Sequence, residues 1–587
     1  MQRTDTADPA YFHKVVDCQW ACPAHTPVPE YIRLIAQRRY ADAYMVNWAS
    51  NVFPGILGRT CDRPCEPACR RGRVEEENTA KPEPVAICRL KRVAADHKGD
   101  ISARLPAALP LNGRRVVCVG AGPASLTVAR DLAPLGYEVT LIDEQPKAGG
   151  FMWQQIPRFR LPESVIDEET GYITQMPHVR TRSSERVGSM AALLAEGFDA
   201  VFVGCGAPRA RDLQIAGRAE AAAHIRLGIE WLAAVSFGHV TQVAPRVLVL
   251  GGGNTAMDCC RSARRLGSSD VKVLVRSGFA QMKASPWEKE DAMHEGIPVL
   301  DWHVPQAFVH QSGRLTGMRF EVRRPGEPVT EVLVECDEVL VAIGQENAFP
   351  WIEREVGIAF NTVGMPRVDA QSYQSTLPQV FFGGDAAFGP KNIITAVAQG
   401  HEAAISIDLF LRGASLRERP SPIVNLISQK MGIHEWSYDN AVSDDTRFKV
   451  PWAAAEKALA SIKVEVELGF DLATAYKETQ RCLNCDVQTQ FTDRLCIECD
   501  ACVDICPTDC ISFTANGEET ELRTRLKAPA PELTQALYVS GDLKTGRVMV
   551  KDENVCLHCG LCAERCPTGA WDMQKFLLHP AQAGVSA

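Results

Sequence analysis

The chain has 587 residues, 46% of them hydrophobic and 23% charged, with a formal net charge of −9 at pH 7. That composition fits a globular protein of about four domains, and an acidic balance without a long basic stripe argues against nucleic acid as a partner. The opening residues carry no apolar stretch of the kind that begins a secretory signal, and no run approaches the ~18 apolar residues of a membrane span.

Sixteen of the 22 cysteines fall into arrays at the two ends of the chain. With ligand-like spacing and no export signal, these read as metal ligands in a reducing, cytoplasmic compartment rather than as disulfides. Cys18, Cys22, Cys61, Cys65, Cys69 and Cys88 make up the N-terminal array.

The first nucleotide motif opens at Arg115. The apolar strand 116–119 runs into Gly120-Ala121-Gly122-Pro123-Ala124-Ser125, a helix-compatible stretch reaches Leu135, and a second strand, 138–142, ends on Asp143. This is a βαβ unit with an acid about 20 residues past the glycines, where a ribose hydroxyl needs an acceptor. The glycines let the backbone approach a pyrophosphate at the positive end of the helix. Ser125 replaces the third glycine and is small enough for close helix–strand packing. The second motif is the strand 246–250 followed by Gly251-Gly252-Gly253-Asn254-Thr255. A strand over 271–275 ends in Arg276, with Lys283 seven residues on. A cation there suits the 2′-phosphate of NADP(H) better than the bare ribose of NAD(H); the alternative is a pair of solvated surface charges.

Two such motifs about 130 residues apart are the layout of two-dinucleotide flavoproteins. In Val380-Phe381-Phe382-Gly383-Gly384-Asp385 a strand delivers an acid to the ribityl–pyrophosphate region of FAD, and the helix after Asn392, including Thr395, points its N-terminus at the flavin. The stretches 198–206 and 338–344 read as crossover strands between the two folds. Met282 and Trp287 read as nucleotide-domain surface, and Cys118, Cys205, Cys259, Cys260 and Cys336 as packing thiols. Residues 412–478 read as a polar linker with its own small packing and helices over 453–463 and 472–479. Near the end come Cys496, Cys499, Cys502 and Cys506 before Pro507, then Cys556, Cys559, Cys562 and Cys566 before Pro567. C-x2-C-x2-C-x3-C-P written twice holds two [4Fe–4S] clusters, the fourth cysteine of each run ligating the other cluster.

Taken together, Gly149-Gly150 with the 156–162 run IPRFRLP, the 251–258 run GGGNTAMD, the 383–400 segment, and the N-terminal cysteines with Asn51-Val52-Phe53-Pro54 resemble the family of the glutamate synthase small subunit, shared by the N-terminal half of dihydropyrimidine dehydrogenase. The resemblance covers roughly residues 15–410. It implies FAD in the first fold, with Gly150 and Arg160 at its site, and a nicotinamide nucleotide, usually NADPH, in the second. It also implies an N-terminal helical domain with two [4Fe–4S] clusters. The family opens that domain with R-C-x2-C, which is missing here. Arg481-Cys482-Leu483-Asn484-Cys485 stands some 460 residues later and reads as a displaced half-site. By the family's interleaved pattern, Cys22, Cys61, Cys65 and Cys88 form one cluster, and Cys18 and Cys69 join Cys482 and Cys485 in another. Four clusters follow, or three if the displaced half-site is wrong.

The expected fold is multidomain α/β: a helical iron–sulfur domain (1–108), an FAD-binding Rossmann-like domain in two segments (109–243 and 345–411), an NAD(P)-binding one (244–344), a linker (412–478) and a bacterial-type 2[4Fe–4S] ferredoxin domain (479–587). The expected function is an electron-transfer flavoprotein subunit that exchanges hydride between NADP(H) and FAD and passes single electrons through [4Fe–4S] clusters. No general acid or base is nominated, because direct hydride transfer needs none. Chains resembling this one with a C-terminal two-cluster module serve 2-oxoacid:ferredoxin oxidoreductases, which makes such a complex a candidate partner. The alternatives are a glutamate synthase small subunit and a non-enzymatic polyferredoxin scaffold.

Overall fold

The computed structural model describes residues 1–73, 82–432, 435–437, 441–515, 517–526 and 533–585. Its centre is two five-stranded parallel sheets. In the first the order is Val380–Phe382, Ala200–Val203, Arg115–Val119, Glu138–Asp143, Val179–Ser183. In the second it is Ile225–Leu227, Glu338–Val341, Arg246–Leu250, Asp270–Leu274, Val299–Leu300. The inner strands are unbroken runs such as RVVCV and RVLVL, buried over four of their five residues. A parallel sheet covered on both faces by helices requires such runs.

Three expectations change here. Strand Ile225–Leu227 belongs to the second sheet, so the second fold begins before residue 244. The stretches around 200 and 340 are inner sheet strands, each beside a glycine-loop strand. The crossing between folds is made instead by the short antiparallel pair Arg209–Ala210 and Gln345–Glu346.

The N-terminal domain is helical, with Val28–Ala36, Tyr40–Asn51, Pro54–Thr60 and Ile87–Asp96 as its main elements. In the C-terminal module the strand before the first cysteine run (Val487–Phe491) pairs with the strand after the second (Trp571–His579). The strand after the first run (Ile511–Ala515) pairs with the one before the second (Arg547–Lys551). This crossed pairing brings the two runs face to face.

The two ends of the chain exchange segments. Thr4 and Val539 hydrogen-bond each other through N–H to carbonyl at 3.0 Å and N–H to hydroxyl at 2.9 Å. Tyr11 donates to Glu553 at 2.6 Å, and Phe12 lies 5.7 Å from Phe576, ring to ring. In the other direction, residues 478–486 enter the helical domain. Arg481, fully buried, pairs with Glu478 at 2.9 Å and donates to the carbonyls of Glu83 and Pro84. Glu478 accepts from the Ala86 and Phe448 amides. Arg33 holds both oxygens of Asp486, at 2.7 and 2.9 Å, with both residues buried. Burial opposes the charge on Arg33, but Asp486 and then Glu30 outweigh it and its pKa rises.

Residues 412–478 pair with themselves locally, the Ala453 N–H with the Val466 carbonyl at 2.8 Å and the Leu468 N–H with that of Pro451 at 3.0 Å, and they also reach well beyond their own sequence. Ile423–Ser428 is a strand, added to the edge of the ferredoxin-module sheet against Gln574–His579. Farther on, the helix over 453–463 shrinks to Ala455–Leu459, while Leu472–Thr479 forms as expected. Ala458 and Val466 cover Phe159, and Glu465 and Glu467 pair with Arg59, Arg92 and Arg89. The segment straps the helical domain to the nucleotide folds, so many of its partners lie outside its own sequence.

Losing one partner of a buried ion pair costs on the order of 3–5 kcal/mol. Asp486→Ala is therefore expected to lower the anaerobic thermal midpoint of the holo protein by on the order of 10 °C. An unchanged midpoint in a calorimetric scan contradicts the role assigned to this pair.

Candidate functional site

The two glycine loops are built alike. Val119 pairs with Ile142, so Gly120 and Asp143 leave the first sheet side by side. Leu250 pairs with Leu274, which sets Gly251 beside Val275 and Arg276. The first glycine of each loop answers to the next strand: a Cβ on Gly120 would stand 2.8 Å from the Gly204 carbonyl oxygen, and one on Gly251 2.2 Å from that of Ala342. Gly122 and Gly253 are open, with nothing closer than 3.8 Å and nothing within 4 Å respectively. Each caps a helix, Pro123–Leu132 and Asn254–Arg265. An open backbone at a helix N-terminus fits a pyrophosphate.

Between the folds lies a cavity of about 490 Å³. Its walls include Gly120, Gly122, Pro123, Ala124, Asp143, Gly150, Arg160, Gly384 and Asp385 from the first fold and Asn254, Thr255 and Asp258 from the second. Asp143 accepts from the Ala121 amide at 2.6 Å and the Gln145 amide at 2.8 Å, one oxygen each, leaving lone pairs for a ribose. Burial raises its pKa, against those two hydrogen bonds. Asp385 accepts from the Lys391 amide at 2.9 Å and is likewise raised by burial. These donors and this open backbone fit a dinucleotide cofactor.

Two expected residues stand elsewhere. Ser125 is fully buried against Gly204, whose Cβ would come within 2.3 Å of its hydroxyl, so it serves helix–strand packing. The Thr395 amide is taken by Asn392 at 3.0 Å; of that first turn, Asn392, Ile393 and Ala396 line the cavity. Arg160 does line the cavity, but its guanidinium is bound to Asp258 at 2.6 Å and Glu288 at 2.6 Å, across the fold boundary.

Arg276 and Lys283 are both exposed and make no ion pair with a described residue. Lys283 is held beside the second glycine loop by its neighbours, since the Ala284 amide donates to Gly252 and the Ser285 amide to Asn254. Met282 is not a surface residue, and Trp287 is half-buried. Met282 is buried against Gly252, and Arg63 stacks on Trp287 at 4.0 Å.

Sequence reasoning missed Thr60 and Asp62, which line the cavity and place Cys61 against its wall. Buried Lys91 is near Cys22, Cys61, Cys65 and Cys88; burial opposes its charge, and these thiolates outweigh burial and raise its pKa. Cys18, Cys69, Cys482 and Cys485 surround a second, small enclosed space together with Arg70 and Arg71. In the C-terminal module Cys496 and Cys502 sit with Cys566, while Cys556 and Cys559 sit with Cys506. Burial pushes the Cys18, Cys482 and Cys485 thiols up, and a bound metal must displace their protons. Grouped thiols of this kind suit [4Fe–4S] ligation.

Two parallel dinucleotide folds between iron–sulfur domains define an iron–sulfur flavoprotein oxidoreductase. The pyridine nucleotide-disulphide oxidoreductase family model matches residues 114–400. That of dihydropyrimidine dehydrogenase domain II, 4Fe-4S cluster, matches 6–102, and that of the 4Fe-4S dicluster domain matches 495–570. The chain is 31% identical to the NADP(+)-dependent formate dehydrogenase subunit beta of Moorella thermoacetica, over 80% of this chain and 70% of that protein. It is 30% identical to the NADPH-Fe(3+) oxidoreductase subunit beta of Geobacter sulfurreducens, over 82% and 77%. It is also 30% identical to the NAD-dependent dihydropyrimidine dehydrogenase subunit PreT homolog of Salmonella typhi, over 68% and 91%. The chain belongs to the family of NAD(P)-dependent iron–sulfur flavoprotein oxidoreductases that unites these relatives, the family expected from its sequence. FAD, a nicotinamide nucleotide and [4Fe–4S] clusters are its cofactors. Among the described residues no helix is long and apolar enough to cross a membrane.

Two outcomes follow from this geometry. Gly251→Ala forces a side chain into the Ala342 carbonyl at a φ of +138°. It is expected to slow flavin reduction by NADPH at least about tenfold while FAD stays bound, as stopped-flow absorbance and flavin content will measure. Burial also pushes Asp291 up to about 7, against Arg261 at 3.0 Å. Asp291 then binds its proton more tightly folded than unfolded, so its stabilising effect is complete below about pH 4 and is lost as pH rises through 7. Asp291→Asn is expected to flatten the decline of the thermal midpoint between about pH 4 and 7.

Proposed function

We propose that this chain is the NADP(H)-reacting subunit of a larger electron-transfer complex, carrying FAD and four [4Fe–4S] clusters in line. The observation that carries the reading is the single cavity walled by both nucleotide folds and by the Cys61 loop. Bound FAD supplies the exchange between a hydride's two electrons and the single electrons a cluster accepts. Gly120, Gly122, Asp143, Gly150, Gly384 and Asp385 hold it. Gly251, Gly253, Asn254 and Thr255 hold the nicotinamide nucleotide, and exposed Arg276 and Lys283 take its 2′-phosphate. Arg160, through Asp258 and Glu288, fixes the two folds against each other so that the reacting rings meet.

Two clusters lie in the helical domain, the second completed by Cys482 and Cys485, and two in the ferredoxin module. The gathering of Cys18, Cys69, Cys482 and Cys485 around one space supports the displaced half-site over the three-cluster alternative. The named relatives are subunits of a formate dehydrogenase, an NADPH-Fe(3+) oxidoreductase and a dihydropyrimidine dehydrogenase. They favour companion subunits of that kind over a 2-oxoacid oxidoreductase. The dicluster match at 495–570 disfavours a glutamate synthase small subunit, and the cavity disfavours a scaffold without nucleotides.

Each hydrogen bond to a charged group contributes about 1.5–3 kcal/mol. Arg276→Ala and Lys283→Ala are therefore expected to raise KM for NADPH by about tenfold or more and to leave that for NADH unchanged, in steady-state viologen reduction. Preference for NADH in the parent chain, or equal effects on both nucleotides, contradicts the phosphate assignment.

A further inference from the structure

The two C-terminal cysteine runs have the same spacing but differ at the residue before the second cysteine: Glu498 in the first, His558 in the second. Both donate their backbone N–H to the first cysteine of their run, Glu498 to the Cys496 sulfur and His558 to the Cys556 sulfur, at 3.3 Å each. Their side chains go opposite ways. Glu498 turns to Thr545 and Arg547 at the module's outer side. His558 is buried, only 2% exposed, and points into the seam between the module and the helical domain.

At that seam the His558 Nδ1 lies 2.8 Å from the carbonyl oxygen of Cys485. A carbonyl only accepts, so Nδ1 carries the proton, while Nε2 lies 3.3 Å from the Arg70 guanidinium and 3.7 Å from the Glu553 carboxylate. Arg70 donates onward to the Cys556 carbonyl at 2.5 Å and is anchored by the Val15 carbonyl and Asp17. One residue therefore joins a cysteine of the shared N-terminal site, through its imidazole, to a cysteine of the second ferredoxin run, through its backbone N–H. Among the described residues, the hydrogen bonds of Glu498 make no such link for the first run. The first run instead presents Leu495, Ile497 and Ile505 to solvent, 43%, 53% and 39% exposed.

We propose that His558 is the positioning residue through which electrons cross between the helical domain and the ferredoxin module, so that the site built on Cys556 is inner and the site built on Cys496 is terminal, facing the redox partner. The proposal rests on the four-cluster reading above. In the step one electron leaves a reduced cluster, which returns to its oxidised state, and reduces its neighbour; no bond breaks and no proton moves. The hydrogen bond replaces a through-space gap with a short bonded path and fixes the distance between the two sites, and electronic coupling falls far less steeply along bonds than across a gap.

The test uses the full anaerobic holo chain and its His558→Leu and His558→Gln variants, with iron per FAD measured in each. Freeze-quench EPR after mixing with NADPH follows the ferredoxin-module signals, assigned by their loss in a Cys556→Ser variant. With about sixteen irons per flavin retained, leucine is expected to slow those signals at least about tenfold and glutamine, which keeps a donor, to restore most of the rate. Full iron with a rate within about twofold of the parent overturns the junction alone, whereas about twelve irons in the parent overturns the four-cluster reading instead. If the leucine variant loses iron, a cryo-EM map of the parent holo chain decides. A Cys556 site nearer to Cys485 than the Cys496 site supports the proposal, and the reverse order overturns it.

Discussion

Two cysteines flanked by buried ions hold this molecule together. Arg481 and Asp486 stand on either side of the Cys482–Cys485 pair, and each is matched inside the structure, by Glu478 and by Arg33. A guanidinium or carboxylate taken out of water is tolerable only when so matched. The segment between them therefore has one place to go, which is the gap the helical domain leaves beside Cys18 and Cys69. The first fifteen residues make the reciprocal move and lie against the ferredoxin module. Neither end is complete without the other, and any metal bound across the seam adds its binding energy to folding.

That seam orders the remaining parts. The helical domain turns its Cys61 loop to the nucleotide cavity and its Cys18–Cys69 side to the C-terminal module. A path from cavity to module therefore runs through two sites of one small domain. The strap over 449–470 and the stacking of Arg63 on Trp287 fix the second nucleotide fold against this domain as well. The buried ions Arg160, Asp258, Glu288 and Arg261 make the boundary between the nucleotide folds a matched network rather than an apolar seam.

Much of this is legible in the sequence because the chemistry is local. A glycine loop opening a helix, an acid at the end of the next strand and cysteines at cluster spacing are each set within some 30 residues. The approach of Cys482 and Cys485 to Cys18 and Cys69, which line one space, agrees with the pairing of these four expected from the sequence. What stayed hidden depends on distant partners. Ile423–Ser428 is a strand only because Gln574–His579 offers an edge, and Trp287 is covered only because Arg63 reaches it. Thr395 carries the right residue type for a cofactor contact, but capping claims its amide first, while Ser125 packs helix against strand as its size suggested. The second fold starts before 244 because its edge strand, three residues long, gives no period to read.

The most direct test of the account is iron and acid-labile sulfide per FAD in the anaerobically purified chain, beside a Cys482→Ser/Cys485→Ser double variant. The account predicts about sixteen irons per flavin in the parent and about twelve in the variant, with the nucleotide cavity still binding FAD. About twelve irons in both, unchanged by the substitutions, would contradict it: the two ends of the chain would then be joined by packing and ion pairs alone, without a shared cluster.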